Sequence, residues 1–181
     1  MDPSQPIVAT VDGKRQFPCY PAAVLVFIVN AEEKILVLAH PKRKGGWEVV
    51  NGGMEANETV VEAARREVRE EAGTEIRARP LGAFHTTMFR YDEAVPYMFS
   101  ISYLMAHESG AVVPGDDMRG SAIGWWSVEE ILAEDFKLLV PPDMKWQMQR
   151  AIECYRLWKD QMPELQEDMR VTKSKYAIQE T

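Results

Sequence analysis

The stretch Ala22–Val29, AAVLVFIV, constrains the fold more than any other part of the chain. An unbroken apolar run of that kind has no solvated face, and it falls far short of the roughly 20 residues that span a bilayer. It reads as a central, buried strand. Residues 34–39, KILVLA, follow across the polar NAEE and form a hairpin with it. A basic loop, HPKRKGG, then leads into a short strand, WEVV, and a glycine turn, NGG, precedes a helix. Asn57 reads as that helix's N-cap, Glu58 suits the positive end of its dipole, and Gly73 suits the position past its end.

Further strands are expected at residues 76–81, 84–90, 97–106 and 123–126. Ser127 caps a helix beginning VEEIL, and a longer helix is expected over 144–161. Near the start, Asp12-Gly13 between strand-forming runs signals another hairpin. Strands mixed with flanking helices imply an α/β or α+β layered core. The expected organisation is an amino-terminal arm over 1–21, a main domain over 22–162 and a polar tail over 163–181.

A net charge of −7 argues against passive binding to nucleic acid or an anionic membrane. It leaves room for a small anionic substrate if a cation supplies local positive charge. No basic, then apolar, leader opens the sequence, and Cys19 and Cys154 have no metal-ligand spacing. From both features a cytoplasmic chain with its cysteines as thiols is expected.

Residues 65–73, RREVREEAG, crowd three glutamates together. Glu67 precedes Glu70 and Glu71 by three and four residues, where like charges cost a helix roughly 0.2–0.5 kcal/mol per pair. With Glu67 at zero and about 100° per residue, Val60, Ala64, Val68, Val61 and Ala72 occupy an arc from roughly 20° to 140°. Glu71 falls near about 40°, within that core-facing arc. Burying an unpaired carboxylate costs several kcal/mol or forces it to take up a proton. Arg66 and other cations could neutralise the acids in a structural network; alternatively a hard divalent cation could sit among them.

Residues 52–74 also match a long pattern of fixed positions: Gly52, Glu58, Arg66, Glu67, Glu70, Glu71 and Gly73. This resembles the Nudix box, G-x5-E-x7-R-E-U-x-E-E-x-G-U. Val68 fills its first aliphatic slot; Thr74 departs at the last, a difference of packing rather than chemistry. Val50-Asn51 stands where many members have Pro-Gly, and Asn tolerates the positive φ such a turn needs.

The resemblance implies a Nudix-type α/β/α sandwich with a mixed sheet. It also implies a Mg²⁺- or Mn²⁺-dependent hydrolase cleaving a nucleoside diphosphate linked to another group, of nucleotide-sugar or ADP-ribose type. The alternatives are a nucleoside triphosphate pyrophosphohydrolase and a non-catalytic nucleotide-binding module. Glu67, Glu70 and Glu71, with the Asn51 backbone carbonyl, would hold metal; Glu67 would be the general base, Arg66 would orient it, and Glu70 completes the catalytic set. Glu108, Asp116 or Asp117 could supply a base from a later loop. Lys42, Arg43, Lys44 and Trp47 are the candidates for contact with substrate. The arm could exchange strands in a homodimer.

Overall fold

Ala22–Val29 forms β3, on which the sheet is built. The computed structural model describes residues 6–39, 41, 45–115, 118–133, 135–139 and 144–161. Along its whole length β3 pairs in parallel with β7 (Met98–Ser109). It pairs antiparallel with β4 (Ile35–Leu38) at one end and β5 (Val50–Gly53) at the other. The sheet is completed by β6 (Arg77–Phe89) beside β7 and β8 (Ile123–Trp126) beside β4. One parallel pair among antiparallel ones makes the sheet mixed.

Alternation along β3 splits the core in two. Leu25, Phe27 and Val29 pack with Leu104 and Ala106 beneath α2 (Val128–Leu132) and α3 (Met144–Trp158). Val24, Val26 and Ile28 pack with Tyr103 and Met105 beneath α1 (Val60–Glu67). With helices on both faces, the molecule is an α/β/α sandwich. A clamp closes one end: Arg79 Nε donates to Glu108 Oε1 at 2.8 Å, and its Nη2 donates to the Lys159 carbonyl past α3.

The Asp12-Gly13 hairpin forms as β1 (Ile7–Ala9) and β2 (Gln16–Pro18), with Gly13 at φ +70°. Every residue of both strands is exposed. Ser127 caps α2 through a capping box with Glu130.

Several expectations need correcting. The strands expected at 76–81 and 84–90 are one strand, β6, whose register shifts at Pro80/Gly82 and Ala83/His85 absorb the apparent break. The glycine turn is instead the end of β5, extended and paired with β3, and Asn51 is not at positive φ. Asn57 does not cap α1; it sits in a left-handed turn at φ +67°, two residues before the cap. Thr59 is the N-cap, its Oγ1 accepting from Glu62 N while Glu62 Oε2 accepts from Thr59 N. The Thr-x-x-Glu pattern satisfies two orphan donors together, which Asn57 alone could not. The last helix ends at Trp158 rather than 161. The tail beyond residue 161 lies outside the described residues.

Candidate active site

The helix does not continue regularly to Gly73. From Val68 to Ala72 it widens into a π-helical turn carrying Glu70 and Glu71. Single π turns inside helices recur at functional sites. A wider turn advances by less than about 100° per residue, so the regular helical wheel misplaces the residues after Glu67. Glu71, expected to point furthest inward, is half-buried, whereas Glu67 is only 6% exposed.

Gly52 makes that burial possible. A Cβ there would overlap the Glu67 carboxylate, so only a residue without a side chain lets the helix approach β5 this closely. Gly73 is needed for a second approach: at φ +100°, a Cβ would overlap the Val113 carbonyl. There Val113 N also donates to Ala72 O, seating the 110–115 loop on the end of the π turn. Thr74 is exposed, so the box's last aliphatic slot does no packing; Ile76 enters the core instead.

Arg66 organises the acids. Its Nε and Nη2 grip Glu58 at 3.1 and 2.8 Å, and Nη2 also donates to the Gly53 carbonyl at 2.8 Å. Its Nη1 donates to Glu67 Oε1 at 2.6 Å and Glu70 Oε2 at 3.1 Å. One guanidinium thus ties strand, loop and helix with charge-assisted bonds, and these partners hold it firmly protonated. The Arg66 hydrogen bond lowers the pKa of Glu58. Glu67 goes the other way: burial raises it, Arg66 opposes that, and the Glu70 and Glu58 charges add to the rise. Three carboxylates share one cation, an arrangement that stays short of positive charge. Glu71 adds a fourth acid beside them, its Oε2 accepting from Asn51 N at 3.0 Å.

The structure therefore brings Glu58, Arg66, Glu67, Glu70 and Glu71 to the end of β5. Asn51 is there too, through its backbone N–H, while its side chain donates to the Val49 carbonyl. Among the described residues, no three acidic or other ligand side chains already converge as a metal cage. Trp47 is elsewhere, packed 5.6 Å from Trp126 and 6.2 Å from Phe136 in the cluster beneath α3. Glu108, expected in a loop, lies on β7 and pairs with Arg79. Lys42, Arg43, Lys44, Asp116 and Asp117 lie outside the described residues. Sequence reasoning missed the Gly53 carbonyl and the Asn51 N–H, because backbone groups carry no residue-type signal. It also missed a buried polar set, Ser100, Ser102 and Gln147, whose signal was two serines spaced for one face of an otherwise apolar strand.

An arginine-and-acid helix laid over a side-chain-free strand end, inside an α/β/α sandwich, defines the Nudix class. The chain belongs to that family: the NUDIX domain matches residues 20–147. It is 32% identical over 127 residues to an NAD-capped RNA hydrolase NudC of Vibrio parahaemolyticus, covering 67% of this chain and 43% of that protein. It is 30% identical over 140 residues to the 8-oxo-dGDP phosphatase NUDT18 of Danio rerio, covering 73% of this chain and 40% of the relative. The chain thus spans about two fifths of the curated relatives it matches. Among solved structures, an ADP-ribose pyrophosphatase of Streptococcus suis shares the fold with a TM-score of 0.57 at 18% identity, over 76% of this chain and 93% of that one.

Proposed function

We propose that this chain is a metal-dependent pyrophosphohydrolase cleaving the diphosphate of a nucleoside diphosphate linked to another group, of nucleotide-sugar or ADP-ribose type. One observation carries the reading: a buried carboxylate, Glu67, shares a single guanidinium with Glu58 and Glu70. Such a site gains from a further cation, and its donors are hard carboxylate oxygens of the kind Mg²⁺ and Mn²⁺ prefer. The residues therefore fit a divalent ion, which Glu70 and Glu71 would hold with Glu67 sharing and the Asn51 carbonyl as a further oxygen donor. Bound there, such an ion would neutralise phosphate oxygens and lower the pKa of a bound water.

The chain's own groups do the rest. Arg66 fixes the direction of the Glu67 carboxylate and keeps its second nitrogen on the Gly53 carbonyl, so helix and strand end keep one geometry. Glu67, with its proton affinity raised by burial, is the general base that takes a proton from the attacking water. The Lys42–Lys44 segment supplies positive charge for phosphates beyond the ion. The relatives' names point to nucleotide phosphoanhydrides as the substrate class.

Among the described residues no helix is long and apolar enough to cross a membrane. Cys19 and Cys154 are thiols rather than a disulfide, which supports a reducing cytoplasm as the chain's setting. The wholly exposed β1–β2 hairpin supports a homodimer through the arm, since an isolated two-stranded hairpin is marginal in water.

The test is a panel of nucleotide sugars, ADP-ribose, dinucleoside polyphosphates and nucleoside triphosphates, with and without Mg²⁺. Metal-dependent release of a nucleoside monophosphate from a linked diphosphate supports the proposal. Turnover confined to triphosphates favours the triphosphate reading, and binding without turnover favours a sensing module.

A further inference from the structure

We infer that the tip of the β1–β2 hairpin docks on a second copy of this chain, in an acidic groove between α2, α3 and the turn joining β3 to β4. The inference rests on the arm-mediated homodimer proposed above and names the surface that the arm meets.

The groove is a cavity of about 350 Å³. Val128 and Leu132 from α2 and Ile152 from α3 give it apolar lining, of which Leu132 stays 45% exposed. Four carboxylates surround these: Glu32 and Glu33 from the turn, Glu129 and Glu153 from the helices. Two of the four have cationic partners. Arg156 Nε donates to Glu33 Oε2 at 2.9 Å, and Arg150 pairs with Glu153 at 3.1 Å. Glu32 and Glu129 are exposed and form no ion pair among the described residues. Apolar lining between two unmatched carboxylates suits an occupant that carries an apolar side chain and cations together.

The hairpin tip has that composition. Val11 is 98% exposed, with Lys14 and Arg15 close by in sequence. Asp12, the acid of the tip, is taken up by the turn: its Oδ1 accepts from Thr10 Oγ1 at 2.6 Å and from Lys14 N at 3.1 Å. Lys14 touches Asp12 only at 3.8 Å, and Arg15 forms no ion pair among the described residues. Two chains of net charge −7 repel each other, so a contact that joins them needs patches of opposite sign. The tip and the groove supply them. A chain's own groove is out of reach of its arm. The arm leads into the start of β3 through Pro21, whereas Glu32 lies past Asn30, beyond the other end of that strand. Pro21 to Asn30 spans about 30 Å of extended chain, and Cys19 to Gly13 only about 20 Å. A partner whose β3 runs the opposite way, across a two-fold axis, brings its groove to the arm, and each copy then gives one tip and one groove.

The experiment is light scattering of the full chain at low salt, with charges reversed on either side of the contact. The parent should give twice the 20.6 kDa chain mass. The double variants Lys14→Glu with Arg15→Glu, and Glu32→Lys with Glu129→Lys, should each fall to the mass of a single chain. Their Tm should stay that of a folded chain, since all four side chains are exposed. Mixed in equal amounts, the two variants should return to the dimer mass, because each then offers the sign that the other lacks at both contacts. A groove variant that keeps the dimer mass overturns the inference and leaves the arm-mediated dimer standing; a separate basic ligand, or another segment of the chain, would then be the groove's occupant. Variants that stay monomeric when mixed also overturn it, because the reversed charges then do not meet across copies. A parent of 20.6 kDa overturns the inference and the dimer together.

Discussion

Each acid of the box has a different neighbourhood and therefore a different expected phenotype. Glu71 accepts from the Asn51 N–H, so Glu71→Gln keeps a comparable acceptor and should fold normally. Its hydrolytic rate should nevertheless fall at least ~10²-fold, the low end for losing a group that stabilises developing charge; a near-full rate would defeat the assignment. Glu67 is the opposite case, because its ionised form is disfavoured by burial. A carboxyl whose folded pKa lies above its unfolded one favours the fold at acid pH and loses that contribution as pH rises through the folded value. In metal-free protein, Glu67→Gln should therefore raise Tm at pH 8 and give little gain at pH 4, as melts at the two pH values would show. A larger gain at the acid end would reverse that sign. Gly52→Ala puts a methyl group into the Glu67 carboxylate, and overpacking of that kind costs about 1–3 kcal/mol. Denaturant titration should register that loss together with loss of activity.

The helix that carries the box acids is two short segments held by specific ends. Thr59→Ala removes one half of the capping box and should cost about 1 kcal/mol of stability, measured as a shift in denaturation midpoint at constant slope. An unchanged midpoint would mean that tertiary packing alone holds the start of α1. The seven fixed positions of the box were legible because they are residue types at set spacing, and AAVLVFIV announced β3 through composition alone. The π turn was not legible, since nothing in VREEA departs from an ordinary helical pattern. Its cause is tertiary: Gly52 draws Glu67 inward while Val113 and Gly73 fix the far end. Asn57 and Thr59 are both good caps by type; the paired Glu62 decided between them. The break expected between residues 81 and 84 failed for a related reason, because bulges let Pro80 and Gly82 remain inside one strand.

At the scale of the whole molecule, the β1–β2 hairpin stands apart from the main sheet with Ile7, Val8 and Phe17 in water. If the arms join two copies, light scattering should give twice the 20.6 kDa chain mass, and removal of residues 1–19 should return a monomer. A full-length mass near 20.6 kDa would end the dimer proposal. The parallel pairing of β3 with β7 has a consequence of another kind. Ala22 finds its neighbour only at Phe99, and the glycines, the arginine and all four box acids lie in the loop between them. Closing so long a loop is slow, so this contact should form late in folding. A nascent chain that has emerged only as far as residue 90 already contains every box acid and both β3 and β5, yet it lacks β7, the strand that β3 runs beside along its whole length.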